Sequence, residues 1–174
     1  SDMEASQFDK PVGQLEIRVK SARHLPVGDW RTNSSDPYVQ FLVEKSWPLR
    51  QFRTRMVSRN LNPVFEHSAM TTLRWNESQT GIILFEVYDH NEVGSADKLG
   101  MAEVPIKMVA RKSDSYFKWE NRVKLRELSD EKTRGHRAAY LCLSLTYHPA
   151  HLSRRVPMLY SGGNEIDNVR GGVL

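Results

Sequence analysis

"GIILFEVYDHNEVGSADKLG", residues 81–100, is an apolar run broken only by Glu86 and followed at once by a cluster of acids and amides. Read from Asp89, the cluster begins like an EF-hand calcium loop, which places oxygen ligands at positions one, three and five, glycine at six and a bidentate glutamate at twelve. Asn91 and Gly94 stand at three and six, but Val93 stands at five and Gly100 at twelve. The closing ligand is missing. The residues before Asp89 are β-branched and aromatic, of strand type, whereas an EF-hand loop leaves a helix. The stretch is therefore a strand, apolar enough to be central, that ends in an oxygen-rich loop.

Outward from that strand the same periodicity recurs. "QLEIRVKSARHL" alternates Leu15, Ile17 and Val19 with Glu16, Arg18 and Lys20, the pattern of a half-buried strand. "DPYVQFLV" reads as a second strand with Pro37 at its start, "FRTRMV" as a third and "HSAMTTLRW" as a fourth. After the central strand come "GMAEVPI", "YFKWENRVKL" and "AAYLCLSLTYHP", the last alternating Tyr140, Cys142, Ser144 and Thr146 with Leu141, Leu143, Leu145 and Tyr147. Eight strands between turn-rich loops predict an all-β, eight-stranded antiparallel β-sandwich. "PIKMVARK" and "KLRELSDEKTR" have room for a helical turn or two, the second reading equally as a charged loop. Residues 1–12 are expected to be an extension, 13–149 the domain and 150–174 a linker or tail.

The chain has 174 residues, 39% of them hydrophobic and 26% charged, in the range of globular proteins that bury a core without staples. No apolar run approaches the ~18 residues of a spanning helix. One cysteine, Cys142, forms no intramolecular disulfide and fits a reducing cytosol. The net charge of +4 favours anionic partners, and Arg50, Arg53, Arg55 and Arg59 concentrate it in one segment. No CxxC, zinc-type histidine pair, phosphate-cradling glycine loop or nucleophile–base pair appears, so neither an enzyme nor a nucleic-acid partner is expected.

"SARHLP…D…SSDPYVQF", "RNLNPVFEH" and "FEVYDHN…ADKLGMAEVPI", in that order, resemble the C2 domain family over roughly Gly13 to Pro149. A chain opening on "LEIRVKSARHLP" and closing on "YLCLSLTYHP" implies the permuted, type II topology, with a looser similarity to tandem C2 membrane tethers such as tricalbins and extended synaptotagmins. In the family, five acidic positions on two loops bind calcium. Carried onto this chain they fall on Asp29, Asp36, Asp89, Asn91 and Asp97. Asn91 still offers a carbonyl oxygen but removes one charge, and the first loop is one residue longer than is common in the family.

The resemblance also implies membrane contact. Trp30 beside Asp29 and Val93 in mid-loop are expected at the lipid interface, while Arg53 and Arg55 on one strand face, with Tyr38 and Tyr88 nearby, match the family's phosphoinositide-binding positions. Arg53 and Arg55 are expected on one face and Phe52, Thr54 and Met56 on the other. Glu92 departs from the basic residue found there in many lipid-binding relatives. The expected function is calcium-responsive binding to anionic membranes containing phosphatidylserine or phosphoinositides, cytoplasmic and peripheral on the cytosolic face. The alternative is a calcium-independent protein-interaction or scaffolding C2 domain. Plainer readings stand beside each residue: Asp36 as a turn initiator, Asp89 and Asp97 as loop-backbone acceptors, the arginines as a solvated edge, and Trp30 as a cap on the core.

Overall fold

The alternation read around Leu15 makes the first strand, β1 (Pro11–Arg23), with Leu15, Ile17 and Val19 fully buried and the intervening charged residues turned outward. A computed structural model describes residues 9–46, 48–110, 115–126 and 137–150. Among these, seven more strands follow: β2 (Pro37–Val43), β3 (Gln51–Arg53), β4 (Val64–Arg74), β5 (Ile82–Asp89), β6 (Asp97–Pro105), β7 (Phe117–Lys124) and β8 (Tyr140–Pro149). They form two four-stranded antiparallel sheets, ordered β4-β1-β8-β7 and β3-β2-β5-β6. The eight-stranded sandwich expected from periodicity is thus the fold, with β5 interior to its sheet as its apolar composition requires.

Between the sheets Phe41 stacks on Phe85 at 5.6 Å and on Phe52 at 5.3 Å, and Leu141, Leu143, Leu145 and Tyr147 of β8 close the core from the other side. Beyond β7 the backbone crosses to the second sheet, where Met101 and Arg126 exchange hydrogen bonds of 3.0 and 2.8 Å. Gly100 permits that approach. A Cβ there would lie 3.1 Å from Leu125 Cβ and 3.3 Å from the Arg126 carbonyl, so the position that would carry an EF-hand glutamate instead admits a neighbouring chain.

Three local expectations change. The third strand is shorter than "FRTRMV", because after Arg53 the Thr54 hydroxyl enters the ladder and accepts the Val39 N–H at 2.9 Å. Backbone bonds from Thr54 to Val39 and from Val57 to Pro37 keep the segment beside β2. Thr54 is buried, but Met56 is 42% exposed and does not share an inward face with Phe52. Trp75, read as the end of a strand, begins a short helix, α1 (Trp75–Thr80), whose first free N–H, that of Arg74, is capped by Glu77 Oε1 at 2.9 Å. "PIKMVARK" yields one 3-10 turn, Ile106–Met108. Most of "KLRELSDEKTR" and the tail beyond residue 150 lie outside the described residues.

A histidine lies among the apolar side chains of the core. His67 on β4 faces inward, presents its ring edge-on to Phe41 at 5.9 Å, and its Nε2 is buried without a hydrogen-bond partner. Burial lowers its pKa below the ordinary 6.5, so the folded state holds it neutral at pH values where the unfolded chain protonates it. In that window the unfolded state binds more protons, and stability falls as pH drops below about 6.5. Thermal melts from about pH 8 to about pH 5 are expected to show this decline, reduced in His67→Leu. An unchanged pH profile in His67→Leu would assign the decline elsewhere.

Candidate functional site

The register of the second sheet assembles the acidic residues. Pro37 of β2 and Asp97 of β6 flank Asp89 at the end of β5, after an irregular step that leaves Leu99 unpaired between Lys98 and Gly100. Asp89 Oδ1 accepts the Asp36 N–H at 2.7 Å, and the His90 N–H donates back to the Asp36 carbonyl at 2.9 Å. Asp36 in turn accepts at Oδ1 from the Arg59 N–H at 2.7 Å and the Ser58 hydroxyl at 3.3 Å. Asp36 and Asp89 therefore tie three loops together at one end of the sandwich.

Asp89 is almost fully buried, and its Oδ2 has no hydrogen-bond partner. Its pKa is raised, first by burial and then by the charges of Asp36, Asp97 and Asp29, offset in part by the Asp36 N–H. Gly28 leaves the room that this oxygen fills. A Cβ at Gly28 would collide with Asp89 Oδ2, and the Gly28 N–H is fixed by Ser35 Oγ, which itself donates to the Pro26 carbonyl. Gly28 escaped the sequence reading, its only signal being a glycine next to Asp29.

Asp29 and Asn91 are differently engaged. Asp29 pairs with Ser34 in a small hairpin, accepting at Oδ1 from the Arg31 N–H at 2.9 Å and at Oδ2 from the Thr32 hydroxyl at 3.2 Å. Within this turn Asn33 adopts the left-handed region at φ 51°. Asn91 Nδ2 donates to the Ser95 carbonyl at 2.9 Å and to Asp97 Oδ2 at 3.3 Å. Among the described residues no three His, Cys, Asp or Glu side chains are gathered into a ready-made metal cage. The donor chemistry is nonetheless that of a hard cation: oxygen only, with one buried carboxylate oxygen unpartnered among three further carboxylates.

Trp30 and Val93 project from the loops at 81% and 91% exposure, so Trp30 does not cap the core. The Arg31 guanidinium lies 5.5 Å from the Trp30 ring. On the outer face of β2 and β5, Tyr38 and Tyr88 stack at 5.5 Å, with Arg53 over Tyr38 at 4.6 Å and Lys98 over Tyr88 at 5.7 Å. Arg53 and Arg55 are both exposed, and Thr54 is turned inward between them. Lys98 and Glu86 also belong to this face. Glu86 ion-pairs with Lys98 and accepts from the Tyr88 hydroxyl at 3.1 Å; burial first, and then this Glu86 carboxylate, raise the Tyr88 pKa. Neither residue was assigned here from sequence, although "ADKLG" places Lys98 directly after Asp97.

The family profile of the C2 domain matches residues 13–121. Synaptotagmin-1 of Aplysia californica is 28% identical over 144 residues, covering 82% of this chain and 32% of that protein. Synaptotagmin-3 of Arabidopsis thaliana is 30% identical over 138 residues, covering 77% and 25%. A solved C2 domain of plant extended synaptotagmin 1 superposes with a TM-score of 0.65 at 26% identity, covering 80% of this chain and 97% of that domain. The chain thus spans about a third and a quarter of the two curated relatives and nearly all of the solved domain.

Proposed function

The chain belongs to the C2 domain family, and on that premise we propose that it is a calcium-responsive module for anionic phospholipid membranes. The observation that carries this reading is Asp89 Oδ2, a buried carboxylate oxygen without a hydrogen-bond partner, on a side chain whose pKa is raised by burial and by the charges of Asp36, Asp97 and Asp29. A buried acceptor without a donor costs about 1–3 kcal/mol, and like charges add to that cost, so the arrangement favours a cation. Asp36, Asp89 and Asp97 would hold calcium, with Asp29 and the Asn91 carbonyl as further donors. Bound calcium supplies positive charge and open coordination positions that suit lipid phosphate oxygens.

The chain's own residues do the rest. Trp30 and Val93, already exposed, enter the interfacial layer without unfolding anything, and Arg31 beside Trp30 meets the phosphates there. Arg53 and Arg55 supply guanidinium forks for phosphoinositide phosphates. Tyr38 is itself only 8% exposed, so stacking of a headgroup on the tyrosine pair requires Arg53 to move off its ring. The proposed location is the cytosolic face of a membrane. No helix among the described residues is long and apolar enough to cross one.

A second reading, calcium-independent attachment to protein partners, is favoured by Asp29, both of whose carboxylate oxygens are engaged in its own turn, and by Asn91. Co-sedimentation with phosphatidylserine vesicles separates the two. Calcium is expected to increase sedimentation of the wild-type chain, and no sedimentation above background with either calcium or chelator would leave the second reading. Arg53→Ala with Arg55→Ala is expected to weaken binding to phosphoinositide vesicles by roughly tenfold or more.

A further inference from the structure

The sheet opposite the tyrosine pair carries a second basic surface. Lys20 is an extra residue of β1 against β8, and Phe65 with Glu66 stands against that same residue from β4, with Glu66 in the left-handed region at φ 46°. Bulges on neighbouring strands bend a sheet and re-aim its side chains. Here they accompany a groove of about 470 Å³ on the outer face, whose lining includes Lys20, Ser21, Arg23, Arg122 and Cys142. The register sets Arg23, Tyr140 and Lys124 in one row across β1, β8 and β7, and Ser21, Cys142 and Arg122 in the next. Cross-strand partners and residues two apart share a face, so all six project outward.

Charge pairing decides what this face attracts. Among the described residues, the two acids that line the groove are engaged: Glu66 with Arg18, and Glu120 with Lys20 and Lys118. Arg23, Arg122 and Lys124 are exposed, and none has an ion-pair partner among the described residues. Position matters as much as charge. Arg23 ends β1, immediately before the loop of Asp29 and Asp36, and Lys124 ends β7 level with it. The three cations therefore lie at the same end of the sandwich as the exposed Trp30 and Val93.

We propose that Arg23, Arg122 and Lys124, with the adjoining groove, form a second, calcium-independent site for the phosphates of anionic lipid headgroups. This rests on the membrane reading above and deepens it. With Arg53 and Arg55 on the other sheet, the acidic loops are flanked by cations on both sides, and the domain docks on its loop end.

The test uses vesicles of phosphatidylcholine containing phosphatidylinositol 4,5-bisphosphate, in chelator, with the full chain. The Arg23→Gln, Arg122→Gln, Lys124→Gln variant is expected to bind between roughly tenfold and a hundredfold more weakly, since each cation near an anionic surface contributes. Cys142, the one cysteine of the chain, lies in the groove and gives a second readout that does not depend on the variant folding. Its alkylation by a maleimide is expected to slow several-fold when these vesicles are added to the wild-type chain. Unchanged binding by the variant together with unprotected Cys142 overturns this site while leaving the loop reading intact. Absence of wild-type binding both in chelator and with calcium overturns both.

Discussion

Asparagine in place of Asp89 is expected to make the calcium-free domain more stable and to abolish its response to calcium. The amide side chain keeps an Oδ1 to accept the Asp36 N–H, and it replaces the unpartnered, buried Oδ2 with an uncharged N–H donor. Removing a desolvated charge among like charges should stabilise by about 1 kcal/mol, raising the melting temperature by roughly 4 °C. The pH dependence gives an independent check. Because the folded state raises the Asp89 pKa above the ordinary 3.8, it binds more protons than the unfolded state between those two values, and stability falls as pH rises through that window. The decline is present in full above the folded pKa and is expected to be missing from Asp89→Asn. Calcium should raise the wild-type melting temperature by linkage and leave Asp89→Asn unmoved. A variant less stable than wild type in chelator would mean that Asp89 serves the loop backbone alone.

The half of this site that was readable from sequence is the half encoded locally. Strand β5 and the spacing of Asp89, Asn91 and Asp97 lie in one continuous stretch, where an apolar run followed by oxygen donors has few physical solutions. Asp36 was readable for a similar reason, since Asp-Pro before a strand marks the end of a loop. What was hidden depends on backbone pairing and close approach that residue spacing does not reveal. Whether Asp29 offers free oxygens is decided by a hairpin with Ser34, and the space around Asp89 by Gly28, over sixty residues earlier.

The basic faces show the same division. Period-two alternation placed Arg53 and Arg55 outside and Thr54 inside, but it failed one residue later at Met56, where a hydroxyl in the ladder ends regular pairing. Lys98 and Glu86 join the tyrosine face only because β5 and β6 pair with one irregular step. The opposite face is less legible still. Arg23, Arg122 and Lys124 are scattered over a hundred residues, and only the register of β8 between β1 and β7 gathers them.

The largest loss of stability is expected from Glu77→Ala, far from any loop. Glu77, 6% exposed, accepts the Arg74 N–H at Oε1 and pairs through Oε2 with Arg50, which also donates to Thr71 Oγ1 at 2.6 Å and to the Thr72 carbonyl. This pair ties the segment entering β3 to the end of β4 and the start of α1. Removing Glu77 takes one carboxylate away from a largely buried guanidinium and leaves a helix N–H uncapped. Breaking a buried pair from one side costs about 3–5 kcal/mol, or a fall of roughly 10 °C or more in melting temperature. Arg50→Met with Glu77→Leu should lose less than Glu77→Ala, because no buried charge is stranded. A double variant as unstable as the single one would place the cost in the helix cap instead of the ion pair. Below its melting temperature Glu77→Ala should keep its calcium-dependent vesicle binding, since the acidic loops are held by Asp36, Asp89 and Ser35 and not by this clamp.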